Sequence, residues 1–361
     1  MTMNRRKKTK RIYIGHIPIG NGAPIAVQSM TNTNTNDIES TVKQIKELKK
    51  AGCEIVRVAI PDENAATNFK KIKKEIPEVP LIADIHFDHK LAIKVIESGA
   101  DGIRINPGNI KKNGIKEIIN AAKSASIPIR IGVNAGSLEK DLLKKYAHPT
   151  PQALVESAIR NVHFFEDMGF SNIKISIKSS NVLDTIKAYE LLSEKTDYPL
   201  HLGVTEAGTL ISGTIKSAIA IGYLLLKGIG DTFRVSLTRP PVEEVRAAYE
   251  ILRALNLRHR GPEIISCPTC GRCQIDLFSL VEKVENGLND VTTSIKVAIM
   301  GCVVNGPGEA KEADIGVAGG KGTGILFKKG KLVRKVPEEM LAETLITEVK
   351  KMIKEKKNEI F

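Results

Sequence analysis

Four of the five cysteines crowd into the last third of the chain: Cys267, Cys270 and Cys273 stand at three-residue intervals in Cys267-Pro268-Thr269-Cys270-Gly271-Arg272-Cys273, and Cys302 follows at a distance. That pattern reads as a metal site rather than a disulfide framework, and two metals compete for it. A zinc knuckle also uses Cys-Pro-x-Cys-Gly, but it needs two ligand pairs, and Cys302 stands alone with no His near it. An iron–sulfur cluster takes closely spaced thiolates plus one distant ligand, which the spacing favours. Cys53, far upstream, reads as a packing residue after the first helix.

A second set of residues with chemistry to do is dispersed through β-type runs. Ile103 and Ile105 alternate with Arg104 and Asn106; Ile129, Ile131 and Val133 with Arg130 and Asn134; Ile173, Ile175 and Ile177 with Lys174, Ser176 and Lys178; Phe233, Val235 and Leu237 with Arg234 and Ser236. If the apolar members face a layer of helices, the polar members face the opposite side, where Arg57, Arg104, Arg130, Lys174, Lys178 and Arg234 converge. Asp84, His86, Asn106, Asn134, His201, Thr205 and Glu206 fall at or near the C-terminal ends of the same runs. Several like charges buried without partners are costly, so such an interior calls for a polyanion, and arginine forks match phosphate oxygens. A small phosphorylated ligand follows.

The elements that must position these residues alternate regularly. Strands are expected over 25–30, 55–59, 81–86, 102–106, 129–134, 173–178, 200–205 and 232–237, separated by amphipathic helical stretches such as 38–50, 91–98, 114–125, 153–168, 182–194 and 242–255. Eight βα units in this length predict an α/β fold of the TIM (β/α)8 type, with a doubly wound sheet as the alternative. Residues 136–152 read as an inserted loop. After Gly261-Pro262 the character changes to clustered Cys and Gly and then a basic helical tail, which places a boundary near residue 260. The reading is therefore a barrel over 1–260 that binds the substrate, followed by a smaller α+β metal domain over 261–361.

With 54 Lys+Arg against 41 Asp+Glu the formal charge is +13, and the two ends, residues 1–12 and 328–361, supply ten of those charges. Neither end interleaves aromatics with its cations, so both read as solvated faces and not as nucleic-acid arms. At 42% hydrophobic and 26% charged the composition excludes disorder. The longest apolar stretch, 210–226, carries Lys216, Gly213 and Gly222 and reads as a buried or interfacial helix, so no membrane segment is expected. No secretory signal is legible, and a cytoplasmic protein is expected. His16, His148, His163 and His259 have no partner at ligand spacing. His86 suits a substrate contact, His89 the first turn of a helix, and Gly319-Gly320-Lys321-Gly322-Thr323-Gly324 a tight turn between strands, since it lacks the P-loop spacing.

Seven segments together resemble the bacterial 4-hydroxy-3-methylbut-2-enyl diphosphate synthases: Val27-Gln28-Ser29-Met30-Thr31, Ala83-Asp84-Ile85-His86-Phe87, Arg104-Ile105-Asn106-Pro107-Gly108-Asn109, Gly132-Val133-Asn134-Ala135-Gly136-Ser137-Leu138, Gly203-Val204-Thr205-Glu206-Ala207-Gly208, Ser266-Cys267-Pro268-Thr269-Cys270-Gly271-Arg272 and Gly301-Cys302-Val303-Val304-Asn305-Gly306-Pro307-Gly308-Glu309. The resemblance covers almost the whole chain. It implies a TIM barrel that holds 2-C-methyl-D-erythritol 2,4-cyclodiphosphate, a C-terminal domain with a 4Fe-4S cluster, a head-to-tail homodimer, and a two-electron reductive ring opening and dehydroxylation fed by ferredoxin or flavodoxin. It further implies cluster ligands at Cys267, Cys270, Cys302 and Glu309, and substrate contacts at Arg57, His86, Arg104, Asn106, Arg130, Asn134, Lys174, Glu206, Arg234 and Ser236. Glu206 would donate the proton to the departing hydroxide. A carboxylate as fourth ligand is chemically apt, because hard oxygen binds a soft cluster iron weakly and can yield its place to substrate.

The chain departs from that pattern at Cys273. Spacing alone prefers Cys273 as the third ligand, as in ferredoxin-type runs, whereas the resemblance prefers Glu309. Two other classes of function stand beside the reductase: a basic nucleic-acid binder with a zinc knuckle, and an electron carrier whose barrel is only a scaffold.

Overall fold

The computed structural model describes residues 6–302 and 312–358. It forms two compact units, Met1–Arg258 and His259–Phe361.

In the first unit a short hairpin, β1 (Ile12–Ile14) with β2 (Ile17–Ile19), precedes eight parallel strands: β3 (Ala26–Met30), β4 (Ile55–Ala59), β5 (Leu81–Ile85), β6 (Gly102–Ile105), β7 (Ile129–Asn134), β8 (Ile173–Lys178), β9 (His201–Leu202) and β10 (Thr232–Phe233). They pair in the order β8-β7-β6-β5-β4-β3-β10-β9, and a parallel bridge between Ile175 and Leu200 brings the two ends together as a TIM barrel. The helices are α1 (Ile38–Ala51), α2 (Glu63–Glu75), α3 (His89–Glu97), α4 (Lys112–Ala125), α5 (Lys140–Tyr146), α6 (Pro151–Asp167), α7 (Val182–Lys195), α8 (Leu210–Leu226) and α9 (Pro241–Ala254). The turns that start them carry their own signal: Asp37, Asp62, Asp88, Thr150 and Asn181 each accept a hydrogen bond from a backbone N–H of the first turn, satisfying donors that the helix itself leaves open. The apolar strand residues face the helices as the alternation requires; Val56, Val58, Ile103, Ile105, Ile131, Val133, Ile175 and Ile177 lie in one continuous core. Ile12, Ile14 and Ile19 of the hairpin pack on Ala26, Ile55 and Ile82, which closes the N-terminal end of the lumen with apolar side chains.

Three sequence expectations need correction. Residues 136–152 are not a plain loop, because Lys140–Tyr146 form α5, whose Leu142 is buried. The strands expected over 200–205 and 232–237 pair over only two residues each. Beyond them the Thr205 N–H still reaches the Ser179 carbonyl just past β8, whereas the Leu237 N–H leaves the strands for Glu244 Oε1. The basic N-terminus is a solvated face only in part: Lys8, Lys10 and Arg11 are exposed, whereas Arg6 and Lys7 are half-buried. Arg6 donates to the Ala23 carbonyl and to Asp231 Oδ1, Lys7 Nζ donates to the Thr196 carbonyl at 2.7 Å, and Lys10 Nζ lies 4.0 Å over the Tyr198 ring. Charge counting missed this because it does not see the carbonyls and the acid that receive these cations.

The second unit is α+β. Its sheet runs in the order of β11 (Pro262–Ser266), β12 (Ile295–Met300), β13 (Ile315–Gly320), β14 (Thr323–Lys328) and β15 (Lys331–Pro337), with the first three parallel and the rest antiparallel. Gly319-Gly320-Lys321-Gly322-Thr323-Gly324 spans the β13–β14 turn, as expected. α10 (Leu277–Gly287) and α11 (Leu341–Asn358) cover one face through Leu280, Val284, Leu345 and Val349 against Val297, Ile299 and Val317. On the polar side of α11, Lys350 and Lys356 reach Asp290 and Asp314 at 3.6 and 3.7 Å.

Candidate active site

The lumen is cationic. Neighbouring strands set Arg104 beside Arg130 and Arg130 beside Lys174 in register, and Asn134 beside Lys178. Arg57, Arg104, Arg130, Lys174 and Lys178 are all buried, with Lys174 only 1% exposed. Two glycines make room for them. A Cβ on Gly132 would stand 2.6 Å from Arg104 Nε, and one on Gly203 would stand 2.6 Å from Lys178 Nζ.

Asp84 is the acid at the centre of this group, with Arg57 Nε at 3.8 Å, Arg104 Nη1 at 3.4 Å and His86 Nε2 at 3.4 Å. Burial works against its charge, but Arg57, the bond from His86 and Arg104 outweigh it and hold the carboxyl far below the usual carboxylate range. Arg234 has its own acid, a two-pronged pair with Glu244 at 2.8 Å per prong. Met30 Sδ accepts from Arg57 Nε at 3.1 Å. The remaining cations are in excess. Nε of Arg104, Nε and Nη1 of Arg130 and Nζ of Lys174 have no hydrogen-bond partner. Burial first, then repulsion between neighbours, pushes Arg130, Lys174 and Lys178 well below their ordinary values, and brings Arg57 down to about 10. Such a group is built to receive negative charge.

At the C-terminal mouth, Asn106 Nδ2 donates to Ser137 Oγ at 2.6 Å, and Asn134, with its amide oxygen turned to Arg104, accepts from Nη2 at 3.1 Å. His86 and Glu206 are exposed, and Ser236 is half-buried. Glu206 sits in the left-handed backbone region at φ 52°, uncommon for a non-glycine residue and a form of strain that concentrates at functional loops. The structure thus brings Arg57, Arg104, Asn134 and His86 into one network around Asp84, with the charge of Arg130 near enough to act on it.

The thiols gather at one end of the second sheet. Ser266 pairs with Ile299 across parallel β11 and β12, so Cys267 and the Gly301-Cys302 step leave adjacent strands at the same end. The Gly301 N–H donates to Cys267 Sγ at 3.2 Å. Cys270 is exposed in the following turn, where Thr269 has φ 60°. Cys273 lies close by: its Sγ donates to the Ile275 carbonyl at 3.3 Å and stands against Gly301, where an added Cβ would come within 2.5 Å of it. Among the described residues no three metal-binding groups form a closed site, and Glu309 lies outside the described residues.

Residues 9–249 match the family model of the GcpE TIM-barrel domain, and residues 263–351 match that of the GcpE protein C-terminal domain. The chain belongs to the GcpE family. Its relatives in that family include the 4-hydroxy-3-methylbut-2-en-1-yl diphosphate synthase (flavodoxin) of Caldanaerobacter subterraneus subsp. tengcongensis, 61% identical over 97% of this chain and 99% of the relative. Enzymes of the same name from Geobacter sulfurreducens and Thermodesulfovibrio yellowstonii are each 57% identical over 97% of this chain, covering 99% and 100% of the relatives. This GcpE-family protein is accordingly an oxidoreductase of isoprenoid biosynthesis. Among solved structures, a dihydropteroate synthase from Stenotrophomonas maltophilia aligns with a TM-score of 0.51 at 14% identity, over 69% of this chain and 98% of that one, which speaks for the barrel fold alone.

Two members of this GcpE lumen escape the strand alternation. Glu244 lies in the first turn of α9, is 2% exposed and also accepts from Ser29 Oγ at 2.8 Å; the only trace it leaves in the sequence is an acid one turn after Pro240-Pro241. Gly132 shows itself only as a gap in the alternating polar series. Gly132→Ala is expected to displace the Arg104 guanidinium, at an overpacking cost of about 1–3 kcal/mol, and to weaken binding of a diphosphate ligand about tenfold while the net charge stays the same. Calorimetric titration checks this, and unchanged affinity would show that the gap is dispensable.

Proposed function

We propose that this GcpE-family oxidoreductase converts 2-C-methyl-D-erythritol 2,4-cyclodiphosphate to 4-hydroxy-3-methylbut-2-enyl diphosphate. The ring C–O bond to phosphate breaks, the neighbouring hydroxyl leaves as water, and two electrons and two protons balance the change. The single observation that carries the reading is the buried excess of lumen cations with unpartnered donors, which a compact diphosphate neutralises. Arg57, Arg104, Arg130 and Lys174 bind its phosphate oxygens; Asn106, Asn134, His86, Arg234 and Ser236 orient it from the mouth; Glu206 delivers a proton to the departing oxygen.

Cys267, Cys270, Cys302 and Glu309 would hold a 4Fe-4S cluster, which supplies the electrons when bound. The donor set fits: two of the thiols leave adjacent strand ends, and a backbone N–H already bonds one sulfur, as is common around cluster thiolates. Cys273, turned to the Ile275 carbonyl, is left as a bystander. Flavodoxin, which the relatives' names carry, is the electron donor for this reading, with ferredoxin the alternative. Anaerobic reconstitution with iron and sulfide, followed by turnover of the cyclic diphosphate with a chemical reductant, tests the whole assignment. Formation of the linear diphosphate is expected; a protein that takes up zinc and no iron, or a reduced cluster indifferent to the cyclic diphosphate, would overturn it.

The working form is a head-to-tail homodimer in the cytoplasm. No helix among the described residues is long and apolar enough to cross a membrane. Yet α8 presents Ile211, Ile215 and Ile219 to solvent at 74%, 54% and 51% exposure. An apolar stripe of that extent is what a second copy covers. Ile215→Lys with Ile219→Lys is expected to yield a monomer by light scattering; a double variant that stays dimeric puts the interface elsewhere.

A further inference from the structure

Among the unpartnered polar atoms of the lumen, one belongs to a residue outside the proposed diphosphate contacts. His201 opens β9, its side chain faces inward opposite its core-facing neighbour Leu202, and it is 0% exposed. Its Nδ1 lies 2.8 Å from Thr232 Oγ1, from the residue that pairs with it in register on β10. Its Nε2 has no partner. A fully buried ring nitrogen left open in a packed barrel is costly, as are the open Lys174 Nζ and Arg130 donors of the same lumen.

The two possible tautomers have different uses. With the proton on Nδ1, the ring would turn a lone pair into the lumen, where an arriving phosphate oxygen would be repelled. With the proton on Nε2, Thr232 Oγ–H donates to Nδ1 and the ring presents an uncharged N–H to the lumen. The charged ring is disfavoured in this setting: burial first, then Arg130, Lys178, Lys174 and Arg57, push His201 far below its ordinary value. A neutral donor there adds a hydrogen bond without adding to the repulsion among the cations.

We infer that His201 is a further binding residue of the diphosphate site, its Nε2–H donating to a phosphate oxygen, and that Thr232 is a positioning residue that fixes this tautomer. The inference rests on the diphosphate reading of the lumen. Its test uses the full chain titrated calorimetrically with the cyclic diphosphate and with inorganic pyrophosphate, together with nitrogen NMR of 15N-histidine-labelled protein. Wild type is expected to bind. His201→Phe, which keeps a ring of similar size, is expected to lose at least tenfold in affinity; His201→Gln, which restores an N–H donor, to stay within about threefold of wild type; and Thr232→Val to lose several-fold. In the wild-type complex the His201 ring is expected to carry its proton on Nε2, a signal read without any variant. Failure of wild type to bind either probe overturns the diphosphate reading and this inference with it. Where wild type binds, undiminished affinity of His201→Phe, equal losses in the Phe and Gln variants, or an unprotonated Nε2 in the complex overturns the inference alone.

Discussion

Lys174→Met is expected to make the ligand-free protein more stable, by about 1–3 kcal/mol, and to weaken diphosphate binding at least a hundredfold. Both effects have one cause. Lys174 is 1% exposed, its Nζ has no hydrogen-bond partner, and the group beside it in register is the cation of Arg130. A buried ion without a counter-charge costs several kcal/mol, and an unbranched apolar side chain of nearly the same shape removes that cost without opening a cavity. The same ammonium, once a diphosphate arrives, becomes a desolvated partner whose attraction is unscreened by water. The pH dependence has a definite sign. Burial, then repulsion from Arg130 and Arg57, sets the folded pKa of Lys174 well below 10.5, so between those two values the unfolded chain binds the additional proton. Stability of the ligand-free protein therefore rises as pH climbs through that window, and Lys174→Met flattens the rise. Urea melts of both proteins at neutral and alkaline pH, with and without the cyclic diphosphate, measure it. A less stable Met variant that still binds its ligand would mean that the lumen cations are structural.

Cys267→Ser, Cys270→Ser and Cys302→Ser are each expected to lose the cluster and reduce turnover at least a thousandfold, whereas Cys273→Ala keeps both. The contrast follows from the ligand set proposed for the cluster, in which Glu309 and not Cys273 completes the site. Cys267 follows β11 and accepts the Gly301 N–H beside the end of β12, while Cys273 Sγ donates to the Ile275 carbonyl and lies against the same Gly301. Proximity therefore does not separate Cys273 from the proposed ligands, and the variants do. Iron and sulfide content with the visible spectrum of anaerobically reconstituted variants decides the matter. Loss of the cluster in Cys273→Ala, with full turnover retained by Glu309→Ala, would reverse the ligand assignment.

The strand alternation was legible because a barrel strand has period two: Ile129, Ile131 and Val133 against Arg130 and Asn134 already separates the helix layer from the lumen. Where that period stops, so does legibility. β10 pairs over two residues only, and further on the Leu237 N–H goes to Glu244, a helix residue; no periodicity within residues 232–237 announces a side chain arriving from α9. Likewise the six basic residues near the N-terminus look alike in sequence, yet Arg6 and Lys7 spend their donors on Asp231, Ala23 and Thr196.

By itself the sequence determined the barrel, the break near residue 260, the run of thiols and the list of cations with an inward parity, since each depends on local spacing and composition. Only the tertiary structure decided how those cations are shared out. Asp84 serves Arg57 and Arg104, Glu244 serves Arg234, and Arg130, Lys174 and His201 are left with open donors. That division is a matter of distances between strands far apart in the chain, where a shift of a few ångströms separates an ion pair from an unpaired charge, and the unpaired remainder is what makes the lumen a receptor for an anion.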